Sequence, residues 1–158
     1  MRGKVLSADL QRGSDAYKNK DYATVLREWK PLAEQGNARA QHNLGVMYYN
    51  GQGVPQDHEI AVKWYTLAAE QGNANAQFNL GVMFRKGEGV AQNHETAVKW
   101  YRLAAEQENA DAQRDLGLMY YNGQGVPKDH ETAVKWFTLA AEQGDADAQY
   151  NLEILQNK

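Results

Sequence analysis

ARAQHNLGVMYYNGQGVPQDHEIAVKWYTLAAEQGN, residues 38–73, is followed without a break by ANAQFNLGVMFRKGEGVAQNHETAVKWYRLAAEQEN, residues 74–109, and by ADAQRDLGLMYYNGQGVPKDHETAVKWFTLAAEQGD, residues 110–145. The period is 36 residues, and a fourth copy begins at Ala146 and stops half-way, at Lys158. A unit of this size cannot bury its own apolar face. It folds by stacking on its neighbours, so the period predicts an elongated, curved solenoid in one continuous domain, with function on the surface of the stack.

Within the first copy, Ala40, Leu44, Met47 and Tyr48 recur at helical spacing and predict a first helix, A, over about residues 38 to 50. Gly51-Gln-Gly53-Val54-Pro55 ends it, because glycine supplies a left-handed turn and proline cannot continue the helix. Asp57 is placed to cap a second helix, B, over about 58 to 71, on which Ala61, Trp64, Tyr65 and Ala68 form the apolar stripe. Asn93 and Asp129 cap the equivalent helices, and Gly72 and Gly144 end them. Glu108 stands where those glycines stand, which predicts a strained helix end.

Upstream, Gly13, Ala16, Tyr17, Asp21, Tyr22, Leu26 and Trp29 predict two helices joined by a tight turn, without the Gly-x-Gly-Val insertion. Pro31 falls inside the B-helix pattern and predicts a kinked or shortened helix. The resulting division is a helical pair over 1–37, repeats at 38–73, 74–109 and 110–145, and a lone A helix in 146–158.

Composition narrows the functional classes. A net charge of -3 and a pI near 5.8 exclude nucleic acid as the main partner, since phosphate binding needs a basic surface. The absence of cysteine removes disulfide and thiolate chemistry. No stretch approaches a membrane span, and no membrane insertion is expected. Met1 to Asp9 lacks the apolar segment of a signal peptide, so the expected location is cytoplasmic, or periplasmic or secreted if a leader has been removed.

Catalytic and metal motifs fail on spacing. His58, His94 and His130 recur beside an acidic residue, but stacked copies lie about 10 Å apart, whereas the ligands of one zinc each lie about 2 Å from it. They are expected to face solvent. His42 has no carboxylate or imidazole one helical turn away. The Gly-x-Gly turns follow helices rather than strands and lack the lysine of a phosphate loop. Neither Ser7 nor Ser14 has a lysine three residues on. No catalytic residue, metal or cofactor is expected.

The recurring A-x-A-Q-x-x-L-G-x-M-Y, with its Gly-x-Gly-Val turn, A-V-K-W and A-A-E-Q-G, resembles the Sel1-like repeat over residues 38 to 158. Residues 5 to 37 are more similar to a plain tetratricopeptide unit. The resemblance implies an all-α fold, a right-handed α-solenoid (α-α superhelix) whose A helices line a concave groove that binds protein or peptide. It implies a non-enzymatic adaptor in bacterial surface or secretion systems, host interaction or assembly of membrane-linked complexes. Some cysteine-rich bacterial relatives resemble penicillin-binding proteins, which leaves a peptidoglycan- or β-lactam-interacting enzyme as one alternative. The other is an immunity or chaperone-like partner of a secreted effector. A monomer is favoured.

The first and third copies differ at 8 of 36 positions: 39/111, 42/114, 43/115, 46/118, 56/128, 60/132, 65/137 and 73/145. Half of these are on helix A. By the tetratricopeptide pattern, Arg39, His42, Tyr49, Phe78, Arg85, Lys86, Arg114, Tyr121 and Tyr150 face the groove. Aromatics and arginines are typical interface anchors. The alternative is that some of them only pack between A helices. Arg85, Lys86 and Arg114 together predict a basic spot suited to an acidic peptide or a carboxylate terminus.

Overall fold

A computed structural model describes residues 8–157; the opening residues 1–7 of the N-terminal pair and of the signal-peptide reading, and Lys158, lie outside the described residues. The described residues form nine α-helices and no strand. α1 (Leu10–Lys18) and α2 (Tyr22–Glu34) make the first pair. The repeats supply α3 (Ala38–Asn50) with α4 (His58–Glu70), α5 (Ala74–Lys86) with α6 (His94–Glu106), and α7 (Ala110–Asn122) with α8 (His130–Glu142). α9 (Ala146–Gln156) is the unpaired A helix. The principal helix contacts all join chain neighbours, as a solenoid requires. No described helix is long and apolar enough to cross a membrane.

Each repeat writes its own helix boundaries. Asn37, Asn73, Asn109 and Asp145 cap the A helices by accepting from the backbone N–H three residues on. Gly51, Gly87 and Gly123 close α3, α5 and α7 in the left-handed conformation. Asp57, Asn93 and Asp129 cap the B helices as expected.

The ends of the B helices carry one local conflict. Glu108 holds φ 66°, in the region that Gly72 and Gly144 occupy without a Cβ penalty. A non-glycine residue there costs about 1–2 kcal/mol, part of which glycine returns through its freer unfolded chain. Glu108→Gly is therefore expected to stabilise the protein by about 1 kcal/mol, read as a raised urea midpoint; an unchanged or lowered midpoint would count against strain at this cap.

At Pro31 the expected shortening does not occur. α2 runs through it and has 13 residues, the same length as α4. Pro31 lies in the last turn, where it forfeits one backbone bond, and its own carbonyl still accepts from Gln35 N–H. It also stands 36 residues before Leu67, at a register where Leu67, Leu103 and Leu139 are exposed, so the ring displaces no core side chain.

The core repeats with the sequence. The buried ring of Tyr65, Tyr101 or Phe137 on each B helix lies against Gly45, Gly81 or Gly117 of its A helix. A Cβ on Gly81 would stand 2.7 Å from the Tyr101 ring, which leaves glycine as the residue that fits. Between repeats runs a polar spine. The buried Gln41, Gln77 and Gln113 donate to the carbonyls of Ala33, Ala69 and Ala105 at 3.0, 3.1 and 3.2 Å, each on the preceding B helix. Their own amide oxygens accept from Gln71, Gln107 and Gln143. A buried amide so satisfied ties one repeat to the next without a desolvation penalty.

Candidate functional site

With the third, fourth, seventh, eighth and tenth residues of α3, α5 and α7 turned into the core, the fifth, sixth, ninth and twelfth are left half-buried. They line three clefts where successive A helices meet. The first, about 490 Å³ between α1 and α3, is lined by residues that include Lys18, Trp29, Arg39, His42 and Asn43. A second, about 320 Å³, involves α3, α5 and α7 and includes Tyr49, Phe78, Asn79, Arg85, Lys86 and Asp115. The third, about 100 Å³ between α7 and α9, includes Leu118, Tyr121, Asn151 and Ile154.

Seven of the nine residues expected in the groove therefore line these clefts: Arg39, His42, Tyr49, Phe78, Arg85, Lys86 and Tyr121. Several also serve the stack. The Phe78 ring lies 5.8 Å from that of Tyr101, and His42 lies 5.8 Å from Tyr65. Arg85 Nε donates to the Tyr101 hydroxyl at 3.1 Å, while burial pushes that hydroxyl's pKa up to about 12. The Tyr49 hydroxyl donates to Glu88 in the next repeat at 2.7 Å, as Tyr17 donates to Gln52, so both tyrosines staple adjacent units. That bond to Glu88 is also the main reason the Tyr49 pKa is raised. Tyr150 lines none of these clefts and is 62% exposed on α9.

Arg114 departs most from expectation. Its guanidinium donates to Asp115 at 3.0 Å, Asp145 at 2.9 Å and Asp111 at 3.2 Å. Lys86 lies 3.8 Å from Glu88. Within the predicted basic spot, Lys86 and Arg114 are thus matched by carboxylates, Glu88, Asp111 and Asp115 from nearby in the chain and Asp145 from the N-cap of α9, while Arg85 is held by the Tyr101 hydroxyl. Asp115 is itself largely buried, which raises its pKa, while the Arg114 guanidinium opposes the rise.

The first-turn histidines also need correcting. His58 does not simply face solvent: its ring stacks on Tyr49 at 4.7 Å and its Nε2 is buried. His130 stacks on Tyr121 at 4.6 Å but remains exposed, and His94 lies beside Gln92. A helix A end and a helix B start are brought together by the turn, which pairs these rings. Among the described residues, no group of three or more histidine, cysteine or acidic side chains converges as a metal site.

Sequence reading missed the sixth residue of the A helix. Asn43, Asn79, Asp115 and Asn151 all line the clefts, and Gln11, two residues before Gly13 as Asn43 is before Gly45, joins them. The signal was an amide or carboxylate retained in every copy, overshadowed by the adjacent Leu-Gly. His42 orients two rungs of this ladder. Its Nδ1 lies 3.3 Å from the Asn43 amide oxygen and its Nε2 lies 3.1 Å from Asn79 Nδ2. A neutral ring with the proton on Nδ1 donates to Asn43 and accepts from Asn79. This leaves the Asn43 NH₂ and the Asn79 oxygen for another partner.

Burial lowers the His42 pKa, opposed by the contact with Asn43. With a folded pKa below the unfolded value of about 6.5, the unfolded state binds the proton more tightly. Stability therefore falls as pH drops through about 6.5, until the folded site itself protonates. The urea midpoint is expected to be lower at pH 5 than at pH 7.5, and His42→Gln should reduce that difference. An identical pH dependence in both proteins would refute the assignment.

A family model described as Sel1 repeat matches residues 38–73, 74–109 and 110–145, the same three copies. Among solved structures, a Sel1 repeat protein from Oxalobacter formigenes is 40% identical over 92% of this chain and 60% of its own, with a TM-score of 0.88. The protective antigen c5321 of uropathogenic Escherichia coli, which displays an SLR fold, is 44% identical over 79% of this chain and 27% of its own, with a TM-score of 0.78. The chain thus spans about a quarter of one of these proteins and three fifths of the other. Helicobacter pylori cysteine rich protein B shares the fold at 24% identity and a TM-score of 0.62, over 89% of this chain and 94% of its own. No curated protein matches the chain.

Proposed function

The chain belongs to the Sel1 repeat family, a scaffold fold commonly used for protein interaction, and on that footing we propose that it binds an extended segment of a partner protein along its A-helix face. It acts by binding rather than catalysis. The amide ladder carries this reading. Every peptide unit of an extended segment has one N–H to donate and one C=O to accept, and both lose water on entering a cleft. Asn43 and Asn79, oriented in opposite senses by His42, supply a free donor in the first cleft and a free acceptor in the second. Asn151 and Gln11 extend the same chemistry toward the two ends of the stack. A preformed face also avoids much of the ordering cost of association.

Affinity capture with mass spectrometry tests this with wild type, an Asn43/Asn79/Asn151→Ala variant, and Lys99→Ala on the exposed side of α6. At about 1 kcal/mol for each hydrogen bond, the triple variant is expected to lose specific partners on the order of 100-fold, with Lys99→Ala unchanged. Equal capture by all three proteins would reject the A-helix face as the site.

A further inference from the structure

We propose that the cleft between α1 and α3 is an anchor for an acidic stretch of the bound segment, held by Lys18 and Arg39. This anchor presupposes the segment proposed above and specifies its chemistry and direction. Both cations line the cleft, and neither makes an ion pair or hydrogen bond among the described residues. Of the other cations of this face, Lys86 is matched by Glu88 and Arg114 by three aspartates, while Arg85 is held by the Tyr101 hydroxyl.

Arg39 is also in the wrong place for helix stability. It occupies the first turn of α3, where the helix dipole disfavours a positive charge. The equivalent residues are Asn75, Asp111 and Asp147, neutral or acidic as the dipole prefers. A cation kept against a local rule and without an internal partner marks a position set by something outside the fold. Lys18 comes to the same cleft from the last turn of α1.

The acids nearest in sequence, Asp15, Asp21 and Glu34, do not line the cleft, nor does Glu28. Asp15 accepts from Gln11 at the surface of α1, and Glu28 is engaged by Arg12 and by the backbone N–H of Asp9. At the far end of the A-helix face, Asp111, Asp115 and Asp145 outnumber the single Arg114. The face is therefore positive at α1 and α3 and negative at α7. That gradient orients a partner segment with its acidic end over Lys18 and Arg39, and the Asn43 NH₂ in the same cleft can donate to its main chain.

Fluorescence anisotropy of fluorescein-labelled hexaglutamate and hexaglutamine, on the full chain at low salt, tests the anchor. Hexaglutamate is expected to bind more tightly than hexaglutamine. The Lys18→Glu/Arg39→Glu variant should weaken it by about tenfold or more, Lys18→Gln/Arg39→Gln by less, and Lys99→Glu, on the exposed side of α6 away from the clefts, by no more than about twofold. Raising the salt should shrink all of these differences. Circular dichroism confirms that each variant is folded. No preference for hexaglutamate, no loss in either double variant, or an equal loss in Lys99→Glu would overturn the anchor. If it fails while the Asn43/Asn79/Asn151→Ala variant still loses its captured partner, the acidic anchor alone is wrong; equal capture by that variant removes the groove itself.

Discussion

Tyr101→Ala is expected to lower the unfolding free energy by about 3–5 kcal/mol, the range for deleting a fully buried aromatic side chain. Tyr101 has no exposed surface and sits in the cluster that joins α6 to α7, with Leu116 and Met119. Its ring fills the space opened by Gly81 and meets Phe78. Alanine would leave a cavity that two rigid helices cannot close, and would release Arg85 from its hydroxyl partner. Small domains have about 5–15 kcal/mol in total, so the loss reaches a large fraction of the stability. Tyr101→Phe removes only the hydroxyl, and the third copy already carries Phe137 at that place, so it should cost about 1 kcal/mol. Urea unfolding followed by circular dichroism separates the two; an alanine variant as stable as the phenylalanine variant would mean that the ring does not hold the repeats together.

Gly89→Ala is expected to cost at least about 3 kcal/mol, and more than Gly87→Ala in the same turn. Both glycines have positive φ, 73° at Gly87 and 70° at Gly89, so both variants carry about 1–2 kcal/mol of backbone strain. What a Cβ would meet separates them. At Gly87 it comes 3.2 Å from the Gln92 side chain and 3.3 Å from its backbone nitrogen, where small shifts suffice. At Gly89 it falls 2.4 Å from the carbonyl oxygen of His58, the first residue of α4 in the preceding repeat. That neighbour is helical backbone and cannot rotate away, so the two repeats must separate. Gly125 makes the same approach to His94, also at 2.4 Å. Equal destabilisation by the two substitutions would reduce this glycine to a turn residue with no part in stacking.

The contrast between these two glycines shows how much of the fold was legible beforehand. Gly87 acts within its own helix end, and periodicity with turn chemistry suffices to place it. The contact of Gly89 with His58 spans 31 residues of chain and two repeats. No local rule announces it, because the same Gly-x-Gly spelling serves a turn and a docking surface together. Glu108 was legible for the reason Gly87 was: a left-handed helix end is a property of one residue. That Pro31 does not shorten α2 was not legible, because it depends on how little helix remains beyond it.

The candidate site divides along the same line. Repetition of 36 residues determined the helix pairs, the N-caps of the B helices, the stacking into a solenoid and the A-helix face as the variable one, since these follow from backbone conformation and periodic burial. Comparing copies located seven residues that line clefts. It could not tell that Arg114 is enclosed by Asp111, Asp115 and Asp145, that Tyr49 is tied to Glu88, or that Lys18 and Arg39 come to one cleft from separate helices. Nor did it reveal that Gln11, Asn43, Asn79, Asp115 and Asn151 share one register along the clefts. Those facts concern which charges and amides are already satisfied. Coulombic and hydrogen-bond energies depend on distances of a few ångströms, and for Arg114 with Asp145, Tyr49 with Glu88 and Lys18 with Arg39, all tens of positions apart, only the stacked tertiary structure sets those distances.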